Sequence, residues 1–305
     1  MPTFPKIDFA TIRSIGNIEF LAKQVVEGFM TGLHKSPYHG FSVEFAEHRQ
    51  YNTGESTRFI DWKIYNRTDK LYTKRFEEET NLRCSLVVDI SSSMYYPIET
   101  NGKLLFSVLA AASLAYLLQK QRDAFSLTTF TDKIVYQSQI KSTSSHLREL
   151  FNTCNLLLNE KPAMVSTDLP TILHQIAEKT HKRSMIVIFS DFFEGMENKE
   201  ALFDALKHLK HLNHEVLVFN VADKKTELQF EFEDKPYWFT DLETGEKMKL
   251  NPSQLRSGYT EVIESYLQEL KIKCGQYKID FNSIDINESF SQIFMPFLAK
   301  RSRMK

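Results

Sequence analysis

The chain has 305 residues, with 38 Lys and Arg against 39 Asp and Glu, a formal net charge of -1. Hydrophobic residues at 42% and charged residues at 25% are ordinary for a globular chain and exclude a disordered or collagen-like one. The near-neutral balance removes the electrostatic argument for a nucleic-acid partner, and 10 glycines beside 24 Phe leave little material for phosphate-cradling loops.

Residues 14–34 place Ile15, Ile18, Leu21, Ala22, Val25, Phe29 and Leu33 on one face, which predicts a helix. A break at residues 36–40 precedes alternating Phe41, Val43 and Phe45, a half-exposed strand. Residues 53–67 read as a turn and short helix, and residues 70–83 as an extended strand. From residue 82 the rhythm changes. Residues 84–89 form a buried strand, residues 103–121 a long apolar helix, and residues 124–131 and 134–136 two further strands. Helices at 146–158 and 168–179 lead to a strand at 184–189, a helix at 198–212 and a strand at 216–221. Residues 226–252 interrupt the alternation with a β-hairpin, Trp238-Phe239-Thr240 facing Met248-Lys249-Leu250. A helix at 252–274, a strand at 278–283 and a terminal helix complete the chain. Continuous apolar strands alternating with helices predict an α/β fold, a doubly wound and mostly parallel sheet. Residues 1–80 then form an N-terminal extension, and residues 81–305 the sheet domain with its hairpin insertion.

The apolar run from Leu104 to Leu118 makes a helix of about 22 Å, short of the roughly 30 Å of a bilayer core. It reads as a buried helix and not as a membrane span. Cys84, Cys154 and Cys274 lie far apart, which excludes a zinc ribbon and suits a reducing, cytoplasmic setting. The start has no apolar core of a signal peptide. No G-x-G-x-x-G occurs, and the Gly102-Lys103 pair has Pro97 where a phosphate loop needs its first glycine. G-x-S-x-G and H-E-x-x-H are also absent, so no motif places a nucleophile or a zinc-protease site. His208, His211 and His214 recur at intervals of three, either a metal face or a solvated helix end.

The first buried strand ends in Asp89-Ile90-Ser91-Ser92-Ser93, and the strand at 184–189 delivers Asp191 to the same edge. Ligands of open parallel sheets bind beyond the carboxyl ends of the strands. Thr167 lies in a polar loop before a helix, with Asp168 as the competing donor there. Two carboxylates and three hydroxyls are hard oxygen donors suited to Mg2+, with Mn2+ or Ca2+ also accepted. A strand-ending Asp followed by serines also reads as the cap of the next helix.

These residues resemble the metal-ion-dependent adhesion site of the von Willebrand factor A fold. The resemblance assigns Asp89, Ser91, Ser93, Thr167 and Asp191 as ligands, with Mg2+ as the cation. Ser166 and Phe192 stand where that pattern has glycine. Upstream, Glu44-Phe45-Ala46-Glu47-His48-Arg49-Gln50-Tyr51 and Arg58-Phe59-Ile60-Asp61-Trp62 lead into the first strand. This stretch is similar to a bacterial family of unknown function encoded beside MoxR-type AAA+ ATPases, whose members carry a von Willebrand A-like domain. That resemblance implies a metal-dependent protein-interaction module rather than an enzyme. Its partner would be a protein offering an acidic residue to the metal, a MoxR-type ATPase in chaperone-like assembly. A metal-assisted phosphoester or ester hydrolase and a scaffold with a vestigial site are the alternatives. Arg58 and Asp61, three apart, fit a pairing across one helical turn, with Phe59 and Trp62 as anchors or an exposed patch.

Overall fold

The computed structural model describes residues 17–34, 48–50, 62–74, 82–100, 102–159, 167–196 and 198–304. They belong to two compact units, one within residues 33–81 and the other formed by residues 1–32 with 82–305. In the smaller unit, β1 (His48–Gln50) pairs antiparallel with β2 (Tyr72–Lys74), and the short helix α2 (Trp62–Thr68) lies between them in sequence. Trp62 is 60% exposed and meets Tyr65 edge-on at 6.0 Å. The strand expected at residues 41–45, and Arg58, Phe59 and Asp61, lie outside the described residues.

The larger unit takes in helix α1 (Ile18–His34) as far as residue 32, and the first turn of α1 is capped by Asn17 Oδ1 accepting from the Phe20 amide at 3.2 Å. Its apolar stripe is buried, and Phe29 stacks on Phe294 at 4.7 Å, so α1 packs within this unit. The sheet has six strands in the order β10-β7-β6-β3-β4-β5. These are β3 (Arg83–Asp89), β4 (Ala124–Phe130), β5 (Ile134–Gln137), β6 (Met185–Ser190), β7 (Glu215–Ala222) and β10 (Asp280–Asp285). All neighbours run parallel except the edge pair β4–β5. Intervening helices are α3 (Gly102–Lys120), α4 (Ser144–Asn159), α5 (Leu169–Lys179), α6 (Lys199–His211), α7 (Pro252–Gln276) and α8 (Ser291–Ser302). The chain is therefore a mixed α/β protein with a mostly parallel central sheet.

Strands covered on both faces carry apolar residues at every position, which is why β3, β6 and β7 read as continuous runs. Val87, Ile186, Ile188, Val216 and Val218 pack with α5, α6 and α7. Alternate residues point to the other face, where the rings of Phe189 and Phe219 stack at 5.1 Å. Helix α3 contacts β3, β4 and β7, and is buried from Gly102 to Leu118. By length and composition α3 could cross a membrane, but here it is enclosed by the protein.

The hairpin consists of β8 (Tyr237–Thr240) and β9 (Lys247–Leu250), with Tyr237 opposite Leu250 and Phe239 opposite Met248. Phe230 stacks on Phe239 at 5.6 Å and meets Tyr259 of α7 at 4.4 Å, which fastens the hairpin to the body of the unit. All three cysteines are buried, and burial pushes the Cys154 and Cys274 thiols up to about 12. At the amino end of β7, Glu215 accepts from Lys300 at 2.6 Å and Lys210 at 3.0 Å. Burial opposes the Glu215 charge, but the two lysines outweigh it and hold the carboxyl below its ordinary 4.5. A depressed carboxyl contributes stability above the unfolded value that is lost as the pH falls through the folded one. Urea midpoints should therefore fall less between pH 7 and roughly pH 3 in Glu215→Gln than in wild type. Equal falls would show that the lysine pairing carries no pH dependence.

Candidate functional site

Strand β3 is flanked by β4 on one side and β6 on the other, so the chain order reverses between β3 and β6. A crevice opens at such a point, beyond the carboxyl ends of the strands. Asp89 is the last residue of β3, and Asp191 directly follows β6. Both are buried, as are Ser91 and Thr167. Asp89, Ser93, Thr167 and Asp191 line a small, partly open cleft of about 10 Å³.

Local hydrogen bonds fix the donors. Asp89 Oδ1 accepts from the Ser91 amide at 2.9 Å, and Oδ2 accepts from Ser190 Oγ at 2.6 Å. Ser91 Oγ and Ser93 Oγ lie 3.1 Å apart. Ser91 precedes a short 3₁₀ turn, Ser92–Tyr95, but its side chain makes no cap, and α3 does not begin until Gly102. The serine hydroxyls thus face each other and do not cap the next helix. Thr167 and Asp168 separate cleanly: Asp168 caps α5 by accepting from the Thr171 amide at 3.2 Å, whereas Thr167 faces the cleft.

Phe192 explains one departure from the glycine pattern. Its φ of 57° is the left-handed conformation in which glycine is the default. A buried ring, packed with Leu169, Leu202 and Tyr266, holds a residue there that is normally strained. The Phe192 amide donates to Ser190 Oγ at 3.2 Å, and its carbonyl accepts from Tyr266 Oη at 2.7 Å. Gly195 closes this turn because a Cβ there would lie 2.4 Å from Leu202 Cδ2 and 2.5 Å from Tyr266 Oη.

The electrostatics are dominated by carboxylates. Burial, with the charge of Asp191 beside it, pushes the Asp89 carboxyl up to about 7 despite hydrogen bonds from Ser190 and Ser91. Glu194, whose Oε2 accepts from the Leu169 amide at 3.0 Å, is likewise raised to about 7, by burial first and then by Asp168, Asp89 and Glu243. The compensating cation is Lys103, fully buried at the start of α3. Its Nζ donates to Asp191 Oδ2 at 2.8 Å and Glu227 Oε1 at 2.6 Å, and lies 5.1 Å from the Phe193 ring centroid. Burial disfavours the Lys103 charge, but Asp191 and Glu227 outweigh it and raise its pKa. Lys103, Ser190, Glu194 and Glu227 are site residues that no sequence motif singles out. A lysine opening a long apolar helix was the one visible signal.

Among the described residues, no three His, Cys, Asp or Glu side chains converge as a metal group. Any cation here would rely on Asp89 with hydroxyls. That set is hard, small and partly neutral, which fits Mg2+ with retained water. Two adjacent buried carboxylates, one with its charge disfavoured, also gain from a nearby cation. The histidine series forms no metal face: His208 Nδ1 lies 2.8 Å from His174 Nδ1, His211 is exposed and His214 is buried.

An α/β protein with an oxygen-rich crevice at its topological switch point is the class that fold and site define. Residues 47–266 match the family described as "Protein of unknown function DUF58", and the chain belongs to that family. It is 25% identical over 212 residues to Uncharacterized protein Mb1516 of Mycobacterium bovis and Uncharacterized protein Rv1480 of Mycobacterium tuberculosis. Those matches cover 70% of this chain and 65% of each relative, so the chain spans just under two thirds of their length. Among solved structures it is similar to the conserved hypothetical protein BatB from Bacteroides thetaiotaomicron, with TM-score 0.47 and 16% identity over 73% of this chain and 98% of that one. An aerotolerance-related membrane protein from Bacteroides fragilis gives TM-score 0.46 and 15% identity over 72% and 99%. Likenesses at these scores carry no argument about the site.

Proposed function

We propose that this chain is a von Willebrand A-like, metal-dependent protein-interaction module. Asp89, Ser91, Ser93 and Thr167 would hold Mg2+, with Asp191 acting through water because Lys103 occupies its Oδ2. Bound there, the ion supplies an open coordination position for an acidic side chain of a protein partner. The observation that carries this reading is the convergence of buried Asp89 and Asp191, from adjacent parallel strands, on one cleft with serine and threonine hydroxyls. The sequence resemblance given above favours a MoxR-type AAA+ ATPase as that partner, with the protein working in the cytoplasm.

Calorimetric titration with Mn2+ tests the centre. Wild type should bind, and Asp89→Ala and Thr167→Ala should lose at least about tenfold in affinity, or 1.4 kcal/mol. Asp168→Ala should keep the wild-type affinity while losing about 1 kcal/mol of stability as its cap is removed. Equal binding by wild type and Asp89→Ala would sink the proposed ligand set. Turnover of a phosphoester panel that requires both Mg2+ and Asp89 would favour a hydrolase instead.

A further inference from the structure

Helices α5 and α6 pack against each other, and His174 of α5 meets His208 of α6 between them. Both imidazoles are half-buried. Their Nδ1 atoms are 2.8 Å apart, a hydrogen bond, and their ring centroids are 5.0 Å apart. That centroid spacing is close to the greatest that such a nitrogen contact permits between two five-membered rings. Each Nδ1 therefore lies almost on the line joining the rings and points at the other. A shared proton fits there. A metal ion does not, because bonds of about 2.0–2.1 Å would need the nitrogens about 4 Å apart along that line. No third His, Cys, Asp or Glu joins the pair as a metal-binding group among the described residues. At helical spacing, Glu178 lies one turn on from His174, and Asp204 and His211 one turn either side of His208, with Lys207 beside it. On the elements packed against the two helices, Glu194 holds the Leu169 amide, Glu269 is paired with Lys199, Lys273 covers the Phe203 ring, and Glu215 is held by Lys210 and Lys300.

We propose that His174 and His208 form a proton-limited latch between α5 and α6, closed while the pair carries at most one positive charge and opened by the second. A hydrogen bond between two ring nitrogens needs one donor and one acceptor, so the neutral rings carry opposite tautomers, one protonated on Nδ1 and the other on Nε2. One added proton goes to the free Nε2 of the donor ring and leaves the bond intact, now charge-assisted. A second has only the accepting Nδ1 to go to, which ends the bond and sets two cations against each other. Glu178 and Asp204 favour the first charge, while Lys207 and a charged His211 oppose the second. The unfolded chain binds both protons and the closed latch only one, so stability falls as the pH drops through the imidazole range. The latch stands apart from the metal-centre reading, yet its opening reaches the cleft. Thr167 lies just before α5, and the first amide of α5 is bonded to Glu194 in the turn before α6.

Two measurements on the full chain test the latch. Nitrogen-15 spectra of the wild-type imidazole rings at about pH 8, where they are neutral, report their tautomers directly. One of His174 and His208 should carry its proton on Nδ1 and the other on Nε2. Both rings protonated on Nε2 would overturn the latch, since two accepting Nδ1 atoms cannot bond. The second measurement is the urea midpoint at about pH 8 and about pH 5 in wild type and His208→Asn. An Asn amide can donate to the His174 Nδ1 or accept from it, so the variant's contact survives protonation. Between the two pH values, wild type should lose roughly tenfold more of its folding equilibrium constant than His208→Asn. The other groups that titrate in this range, Asp89 and Glu194 among them, are common to both chains and cancel. Equal losses in the two chains would overturn the latch.

Discussion

Replacing Lys103 with Met should lower the unfolding free energy by about 3–5 kcal/mol, the cost of breaking a buried ion pair from one side. The Met side chain fills the aliphatic space of α3, so the loss is chiefly electrostatic. Without the ammonium, Asp191 and Glu227 face each other in the interior with no cation between them. Glu227 is already raised by burial, against the pull of Lys103, and removing that pull disfavours its charge further. In a protein of this size the loss corresponds to a fall in Tm of roughly 10 °C. Adding Asp191→Asn to Lys103→Met should recover part of it, because the second change removes one of the two stranded charges. Denaturant melts of the two single variants and the double variant measure this coupling directly. A Lys103→Met variant within 1 kcal/mol of wild type would mean that the buried triad is not what organises this end of the sheet.

The second large effect is expected at Phe192, and its sign pattern is more telling than its size. Phe192→Ala removes a buried ring and should cost about 3–5 kcal/mol. Both Phe and Ala are strained at φ 57°, whereas Gly is not. Phe192→Gly should therefore be about 1 kcal/mol more stable than Phe192→Ala, the reverse of the order seen within a helix or strand. Chemical denaturation of the pair decides it. The order Ala above Gly would show that the turn after Asp191 does not hold the left-handed conformation in solution.

Those two residues also mark the limits of what the sequence reveals. Strands β3, β6 and β7 are legible because burial on both faces demands apolar side chains at every position. Strand β10 is an edge, where Asp280, Asn282, Ser283 and Asp285 interrupt the pattern, and its expected span of 278–283 falls two residues early against Asp280–Asp285. Asp89, Ser91 and Asp191 could be singled out because strand ends announce themselves locally, and parallel neighbours bring their carboxyl ends together. Lys103 reaches Asp191 across 88 positions and Glu227 across 124, and no local pattern encodes such meetings. Phe192 misleads in the opposite way, since a bulky residue normally argues against the backbone conformation it adopts here.

The central claim is that the β3–β6 crevice holds a divalent cation on Asp89 and its serines. Diffraction at the manganese edge from crystals grown with saturating Mn2+ tests it most directly. The expected result is an anomalous peak at coordination distance from the Asp89 carboxylate and the Ser91 and Ser93 hydroxyls, absent from crystals of Asp89→Ala. No peak in the crevice of the wild-type protein, or one that persists in Asp89→Ala, would contradict the account.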